Sequence, residues 1–298
     1  MSFDVWKPIC AGGFKHDEYL YHYTSVDTAI KIICSDSLLF SPISNTNDTS
    51  ESKMKIAFDQ SNVEDNDEYL EMVKKISEYC TQYANIVQIL CFSVDSNICK
   101  KDYEKFKSSA GSDDIYYDVS GRGFALPRMW AQYAGSNEGV CFIFNKKKLI
   151  EAIERKVAFL KHGKVSYKKI FDKYFISSKQ MEILFERITK VANGSLTLLN
   201  MMQEDKEFLK YNFFEKLDDW SNEHEYRMVA LIDKRDSPNY RLPIVGITSF
   251  LEGVVIGEKI DPSFEKTIKQ LIKGRRAPCE MKKISFDSAL CKVKESEV

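Results

Sequence analysis

The sequence lacks the patterns that identify several common enzyme classes. It contains no glycine-rich phosphate-binding loop, no GxGxxG fingerprint and no GxSxG nucleophile elbow. Only four histidines occur, and none is spaced as HxxxH or HExxH, so a zinc site has no local signature and we expect no metal. No apolar run approaches the roughly 20 residues that cross a bilayer. These absences argue against P-loop and Rossmann proteins, α/β-hydrolases and membrane proteins.

An excess of charge of one sign is also lacking. The 43 lysines and arginines balance 44 aspartates and glutamates, which leaves a formal net charge of −1. A dedicated non-specific nucleic-acid binder would show a basic footprint, although a local basic patch stays open. The 298 residues, 44% of them hydrophobic, suffice for a large core. This length permits one large domain or two modest ones, and we expect a single domain over residues 1–298.

Paired cysteines are missing as well. The eight cysteines are scattered without a CxxC motif, and several lie in apolar runs. Free cysteine in such runs usually acts as a small buried hydrophobe. Because there is also no signal-peptide pattern, we expect a reducing, cytoplasmic location and no membrane partner.

Short β-forming runs and amphipathic stretches are present but do not alternate regularly. The pattern predicts strands at 20–24, 38–40, 86–93, 139–144, 165–167, 226–232 and 251–257. It predicts helices at 25–34, 51–85, 126–134, 146–158 and 261–274, a helical insertion at about 175–218 and a polar surface excursion at 95–124. This order favours an α+β fold with mixed, largely antiparallel central sheets and flanking helices.

Two clusters combine aromatic and hydroxyl groups. His22-Tyr23-Thr24-Ser25 ends the first predicted strand, where a lone histidine is more often a structural hydrogen-bonding group than a ligand. Trp130 and Tyr133 are three residues apart and share one face of a predicted helix. Core packing and ligand binding both explain this second pair.

Two further clusters are acidic or rich in amides. Glu223 and Glu225 alternate at strand spacing, so both carboxylates are expected on one side. Arg227 lies on the same face, so a plain salt bridge competes with a catalytic interpretation. The fourth cluster is a loop with Asn45, Asn47 and Asp48, which is either a ligand contact or a simple turn.

In their order along the chain, these motifs resemble a widespread bacterial family of unknown function, DUF2971. The resemblance spans about residues 19–258 and rests on seven motifs: His22–Ser25, Asn47-Asp48, Cys91–Ser93, Met129–Ala134, Gly139–Phe144, Glu223–Arg227 and Ile256-Gly257. The family itself implies no activity.

The opening strand-helix-strand and the late Glu-x-Glu are similar to ADP-ribosyltransferase domains. This second resemblance implies an ADP-ribosyltransferase-like fold and an NAD-dependent ADP-ribosyltransferase or NAD-cleaving enzyme. In such enzymes a histidine and a hydroxyl hold NAD, an aromatic ring stacks on nicotinamide, and a glutamate binds the nicotinamide ribose. The acceptor would be a protein or a nucleic acid. A toxin or phage-defence role fits families of this kind, although no residue here supports it.

The resemblance assigns roles to particular residues. Glu225 would be the catalytic carboxylate, and Glu223 would orient the acceptor or be catalytic itself. Residues expected to bind NAD are His22, Tyr23, Thr24, Trp130, Tyr133 and Arg227.

Two other functions stay open from the sequence. A non-catalytic module would use the same cleft to bind a nucleotide or nucleic acid, aided by the basic stretch at 266–276, which is otherwise a solvated helix face. A metal-dependent nuclease would place Glu223, Glu225 and Asp48 around Mg²⁺.

Overall fold

The computed structural model describes residues 4–6, 17–48, 51, 56–58, 67–84, 87–96, 119–169, 174–176, 178–192, 200, 210, 212–231, 241–274, 279–287 and 290–295. The strands are β1 (Tyr19–Thr24), β2 (Ser37–Leu39), β3 (Ser41–Pro42), β4 (Ile56–Phe58), β5 (Val87–Ser93), β6 (Val140–Asn145), β7 (Leu160–Lys164), β8 (Ser166–Lys168), β9 (Tyr174–Ile176), β10 (Glu215–Leu217), β11 (Glu225–Leu231), β12 (Pro243–Val245), β13 (Leu251–Ile256), β14 (Glu280–Asp287) and β15 (Leu290–Glu295). The α-helices are α1 (Val26–Ser35), α2 (Asp67–Ala84), α3 (Pro127–Gln132), α4 (Lys146–Glu154), α5 (Ser178–Ala192) and α6 (Pro262–Lys273). Short 3-10 helices cover Asp4–Trp6, Ile43–Asn45, Asp218–Glu223 and Ile247–Ser249.

One large sheet organises the described part of the chain. Its nine strands run in the order β15-β14-β13-β6-β1-β5-β11-β7, and β3 pairs beside β5. Every neighbouring pair in this sheet is antiparallel except β13 with β14. The prediction of a mixed, largely antiparallel sheet with helices is therefore confirmed.

The sheet is buried on both faces. On one face, Leu20 and Phe142 pack with the apolar sides of α1, α4 and α6. On the other face, Tyr21 and Cys141 pack against α3 and the segment before it. Because both faces are covered, β6 reads as a continuous apolar run rather than an alternating one.

The first helix shows how local sequence sets an element boundary. The Ser25 hydroxyl accepts a hydrogen bond from the Thr28 backbone amide at the helix start. Asp36 ends α1 in the left-handed conformation, with φ of 50°. This cap turns the chain directly into β2 and then into β3, which pairs with the edge of β5.

Three predicted segments differ from the structure. Residues 51–85 are not one helix, because 56–58 form β4 and pair with β9. The predicted helix at 261–274 is followed by the β14–β15 hairpin, which extends the sheet and which the sequence pattern did not predict. Within 175–218, α5 is helical and β10 is a strand, whereas 193–199 and 201–209 lie outside the described residues.

The prediction that the polar segment 95–124 lies on the surface is wrong at both of its described ends. Asp95 and Arg122 are buried and form an ion pair with 3.6 Å between Oδ2 and Nη1. The Tyr21 hydroxyl and the Gly123 amide both donate to Asp95 Oδ1 at 2.8 Å. This buried carboxylate holds the segment against the sheet, and polar composition alone gave no indication of it. Residues 97–118 lie outside the described part of the chain.

None of the helices described here is both long and apolar enough to cross a membrane.

Gly139 joins α3 to the sheet at a point of close backbone approach. Its amide donates to the Ala134 carbonyl, and a Cβ at this position would collide with the Thr24 carbonyl oxygen. We predict that Gly139→Ala lowers the free energy of unfolding by about 1–3 kcal/mol, measured by urea denaturation. Gly274→Ala is the control, because the nearest atom to a Cβ there is 3.6 Å away. Equal stability of the two variants would contradict the close approach.

Candidate functional site

The site lies where the large sheet opens between β1 and β5. These strands share one paired position, Tyr21 with Ser93. On the same edge of β5, β3 pairs only at Gln88 and Ile89. The intervening edge of β5 therefore has no strand partner within the described chain, and a cavity of about 230 Å³ occupies this gap.

His22 contacts the open edge directly. Its Nδ1 lies 3.2 Å from the Cys91 carbonyl oxygen, which only accepts, so the ring donates from Nδ1. Burial lowers the pKa of His22 below its ordinary value, against a smaller opposing effect of this hydrogen bond. The ring is thus neutral at pH 7, and its Nε2 is an acceptor.

Most of the predicted site residues converge on this cavity. Its polar and charged lining comes from separate segments of the chain: Tyr21, His22, Tyr23, Ser41, Asn45, Thr46, Asn47, Glu51, Ser93, Tyr133, Lys216, Glu223, Glu225 and Arg227. The predicted residues brought together here are His22, Tyr23, Tyr133, Glu223, Glu225 and Arg227.

Two of the predicted NAD-binding residues do not line the cavity. Thr24 is buried at the end of β1, opposite Val140 of β6. Trp130 is fully buried in the core, where its indole N–H donates to the Phe124 carbonyl at 2.7 Å. Tyr133, the half-buried C-cap residue of α3, lines the cavity together with Met129 one turn earlier, whereas Trp130 packs in the core.

Both glutamates line the site, but the backbone around them differs from the strand that the sequence pattern predicted. Glu223 belongs to a 3-10 helix, and His224 adopts a left-handed conformation with φ of 46° before β11 begins at Glu225. The predicted strand alternation was therefore wrong. The carboxylates meet instead through Lys216 of β10, whose Nζ lies 2.9 Å from Glu223 Oε2 and 2.8 Å from Glu225 Oε2.

Arg227 completes a buried ion-pair network. Its Nε and Nη2 donate to the two oxygens of Glu225 at 2.7 and 3.0 Å, and its Nη1 donates to the Phe213 carbonyl at 2.9 Å. Glu51 Oε1 lies 2.6 Å from Arg227 Nη2. The salt bridge that competed with a catalytic interpretation is therefore present, and it forms part of the cavity wall.

Electrostatics keep Glu225 ionised. Burial by itself raises the pKa of this carboxyl, but the charges of Arg227 and Lys216 outweigh burial and lower it to about 2. The pKa of Lys216 is raised, because its glutamate neighbours outweigh the opposing effects of burial and of Arg227. Carboxylate and ammonium groups therefore coexist at neutral pH.

Tyr133 links the network to the asparagine loop. Its hydroxyl donates to Glu223 Oε1 at 2.6 Å, and Asn47 hydrogen-bonds to the same hydroxyl. Burial and the nearby Glu223 carboxylate raise the pKa of Tyr133, so it stays protonated. The predicted loop thus contacts the site through Asn45 and Asn47, whereas Asp48 does not line the cavity.

The sequence prediction missed residues that the fold brings in from a distance. Glu51 lay in a predicted helix and Lys216 in the predicted helical insertion, and neither belongs to a local motif. Cys91 and Ser93 appeared only within the family resemblance. Among the described residues, no group of three His, Cys, Asp or Glu side chains is placed to hold a metal ion.

The lowered pKa of Glu225 predicts a specific acid sensitivity. Its contribution to stability is complete above its ordinary pKa of 4.5 and is lost as pH falls towards about 2. That loss is on the order of 3 kcal/mol. As the pH falls from 5 to about 2.5, the free energy of unfolding measured by urea denaturation should decline less steeply for Glu225→Gln than for wild type. The exposed Glu138→Gln variant should show the same decline as wild type. Identical pH slopes for wild type and Glu225→Gln would refute the assignment.

The comparisons with known proteins are consistent with part of the resemblance. Neither a curated protein nor a solved structure matches the chain. The matched family stretch contains Tyr133, Lys216, Glu223, Glu225 and Arg227, while His22 and Glu51 lie outside it. Residues 129–228 of the chain match the family described as "Protein of unknown function (DUF2971)".

Proposed function

We propose that the protein binds NAD in the cavity between β1 and β5 and cleaves the bond between nicotinamide and ribose. The observation that carries this proposal is the convergence of His22, Tyr133 and two buried glutamates on one cavity. The cavity is smaller than the roughly 300–1,000 Å³ of typical drug-sized sites. It therefore suits the nicotinamide-ribose end of NAD rather than the whole dinucleotide.

The chemistry calls for a stable negative charge beside the reacting carbon. As the glycosidic bond breaks, its electron pair leaves with nicotinamide and positive charge develops on the ribose. An ionised carboxylate stabilises that charge more in the transition state than in the ground state. Water or an acceptor then forms the new bond to the ribose carbon and releases a proton. Glu225 suits this role because it stays ionised throughout the neutral range.

The other cavity residues have complementary roles in the proposal. The neutral His22 ring accepts a hydrogen bond from a ribose hydroxyl through Nε2. The half-buried Tyr133 ring packs against the flat nicotinamide, and its hydroxyl fixes Glu223. Glu223 orients the acceptor, which is a protein, a nucleic acid or water.

One observation favours a second function, a binding module without turnover. Both oxygens of Glu225 already accept from Arg227, and Lys216 contacts one of them. A carboxylate neutralised in this way stabilises developing positive charge less than a free one. Under this alternative the cavity holds the nucleotide but releases no product.

Release of labelled nicotinamide from NAD tests the proposal. We expect release by wild type and a loss of about 100-fold or more in Glu225→Gln. Tyr133→Phe should lose about tenfold, because Glu223 then keeps only its contact with Lys216. Its matched control is Tyr226→Phe, which removes a hydroxyl bonded to His162 at 2.6 Å outside the cavity and should release nicotinamide like wild type.

The same samples separate the two functions. A rise in Tm with NAD and no nicotinamide release, with several acceptors supplied, would favour the binding module. Neither a Tm change nor product would overturn NAD as the ligand. Circular dichroism of each variant establishes that a lost activity is not a lost fold.

A further inference from the structure

The charges that line the cavity do not balance. Three carboxylates, those of Glu51, Glu223 and Glu225, face the two cations Lys216 and Arg227. All five side chains are buried, and buried charges are ordinarily compensated because desolvation of an unpaired ion is costly. One negative charge is therefore left over among the described lining residues.

The excess is concentrated at Glu51. Its side chain is 1% exposed, and neither carboxylate oxygen has a hydrogen-bond partner in the described structure. Arg227 Nη2 approaches Oε1 to 2.6 Å and Lys216 Nζ approaches Oε2 to 3.8 Å. The closer contact is an ion pair that does not count as a hydrogen bond. Glu51 thus retains acceptor capacity.

Ser93 provides an independent indication of a ligand. It lies at the last residue of β5, between Tyr21 of β1 and Glu225 of β11 in the sheet register. Ser93 lines the cavity and is 1% exposed, and its buried Oγ has no hydrogen-bond partner among the described residues. A buried hydroxyl without a partner costs about 1–3 kcal/mol, which a ligand group would recover.

We propose that the cavity selects a ligand group that carries a positive charge and hydrogen-bonding capacity, with Glu51 compensating the charge and Ser93 bonding to the group. The inference rests on the proposed function, in which that group is the nicotinamide ring. The ring of oxidised NAD is cationic and bears a carboxamide, whereas the ring of NADH is neutral. The cavity should therefore prefer NAD to NADH, and the diphosphate should lie outside it.

Calorimetric titration at 4 °C, with ligand integrity checked by chromatography, measures this preference. Wild type should bind NAD about tenfold or more tightly than NADH. Glu51→Gln removes the excess charge and should bring the ratio close to one, whereas Lys216→Met adds to the excess and should widen it. The control is Glu265→Gln, which changes a buried glutamate paired with Lys283 at 3.1 Å outside the cavity and should keep the wild-type ratio.

Ser93→Ala tests the second contact without removing any protein–protein hydrogen bond. It should not lower the Tm, because it removes a buried hydroxyl that has no partner in the described structure, and it should lower NAD affinity about fivefold to tenfold. Ser37→Ala is the matched control, because the Ser37 hydroxyl is bonded to Ser35 at 2.8 Å. It should keep NAD affinity. The Ser93 comparison also keeps the inference testable where Glu51→Gln lowers stability.

The outcomes separate this inference from the proposed cleavage. Equal affinity of wild type for NAD and NADH, an unchanged ratio in folded Glu51→Gln, or unchanged NAD affinity in Ser93→Ala would overturn the inference. Charge-selective binding without nicotinamide release would overturn the cleavage alone. Failure of both nucleotides to bind would overturn both.

Discussion

The buried ion-pair network of Lys216 and Arg227 with Glu51, Glu223 and Glu225 is the constraint on which the rest of the site depends. Each of these ions loses several kcal/mol of hydration on burial, and only close pairing offsets that loss. The pairing therefore fixes the relative positions of chain segments that are far apart in sequence. It also sets the chemical character of the cavity wall, in which Glu225 stays ionised at neutral pH.

The opening in the sheet places a cavity beside this network. A continuous ladder between β1 and β5 would cover the edge of β5 with backbone and leave no room for a ligand. Here the ladder is limited to Tyr21 with Ser93, and the His22 ring satisfies the Cys91 carbonyl beside the gap. The aromatic core under α3 supports the same region from the other side, with Trp130 and Tyr23 in edge-to-face contact. Sheet geometry and core packing together keep the gap open.

Local sequence patterns were sufficient to predict the positions of the strands and helix that carry most of the predicted site residues. The apolar runs of β5, β6 and β11 and the Ser25 cap of α1 lie close to where the sequence predicted them, because each depends on neighbouring residues. The expectation that His22 and Glu225 lie at one cavity came from the resemblance carried by the order of the motifs. The spacing of residues along the chain did not supply it. The prediction failed at His224, since a left-handed residue other than glycine is not evident from composition.

Long-range pairing explains the remaining errors. Lys216 looked like a residue of a helical stretch, and its role depends on three glutamates from other segments. Arg122 and Asp95 looked like surface residues, and they are buried because they pair with each other and with Tyr21. Trp130 shared a predicted helical face with Tyr133, but Trp130 packs in the core and Tyr133 lines the cavity. The contacts of Glu51 with Lys216 and Arg227, and of Asp95 with Arg122 and Tyr21, join residues too far apart in sequence for a local pattern to show.

A crystal structure of the protein grown with NAD would show directly where the nucleotide binds. We expect electron density for the nicotinamide ring and its ribose in the gap between β1 and β5. The ring should lie within contact distance of Glu51 and Ser93, with the diphosphate directed outwards. NAD bound elsewhere on the protein, or a gap closed by pairing of β1 with β5, would contradict it.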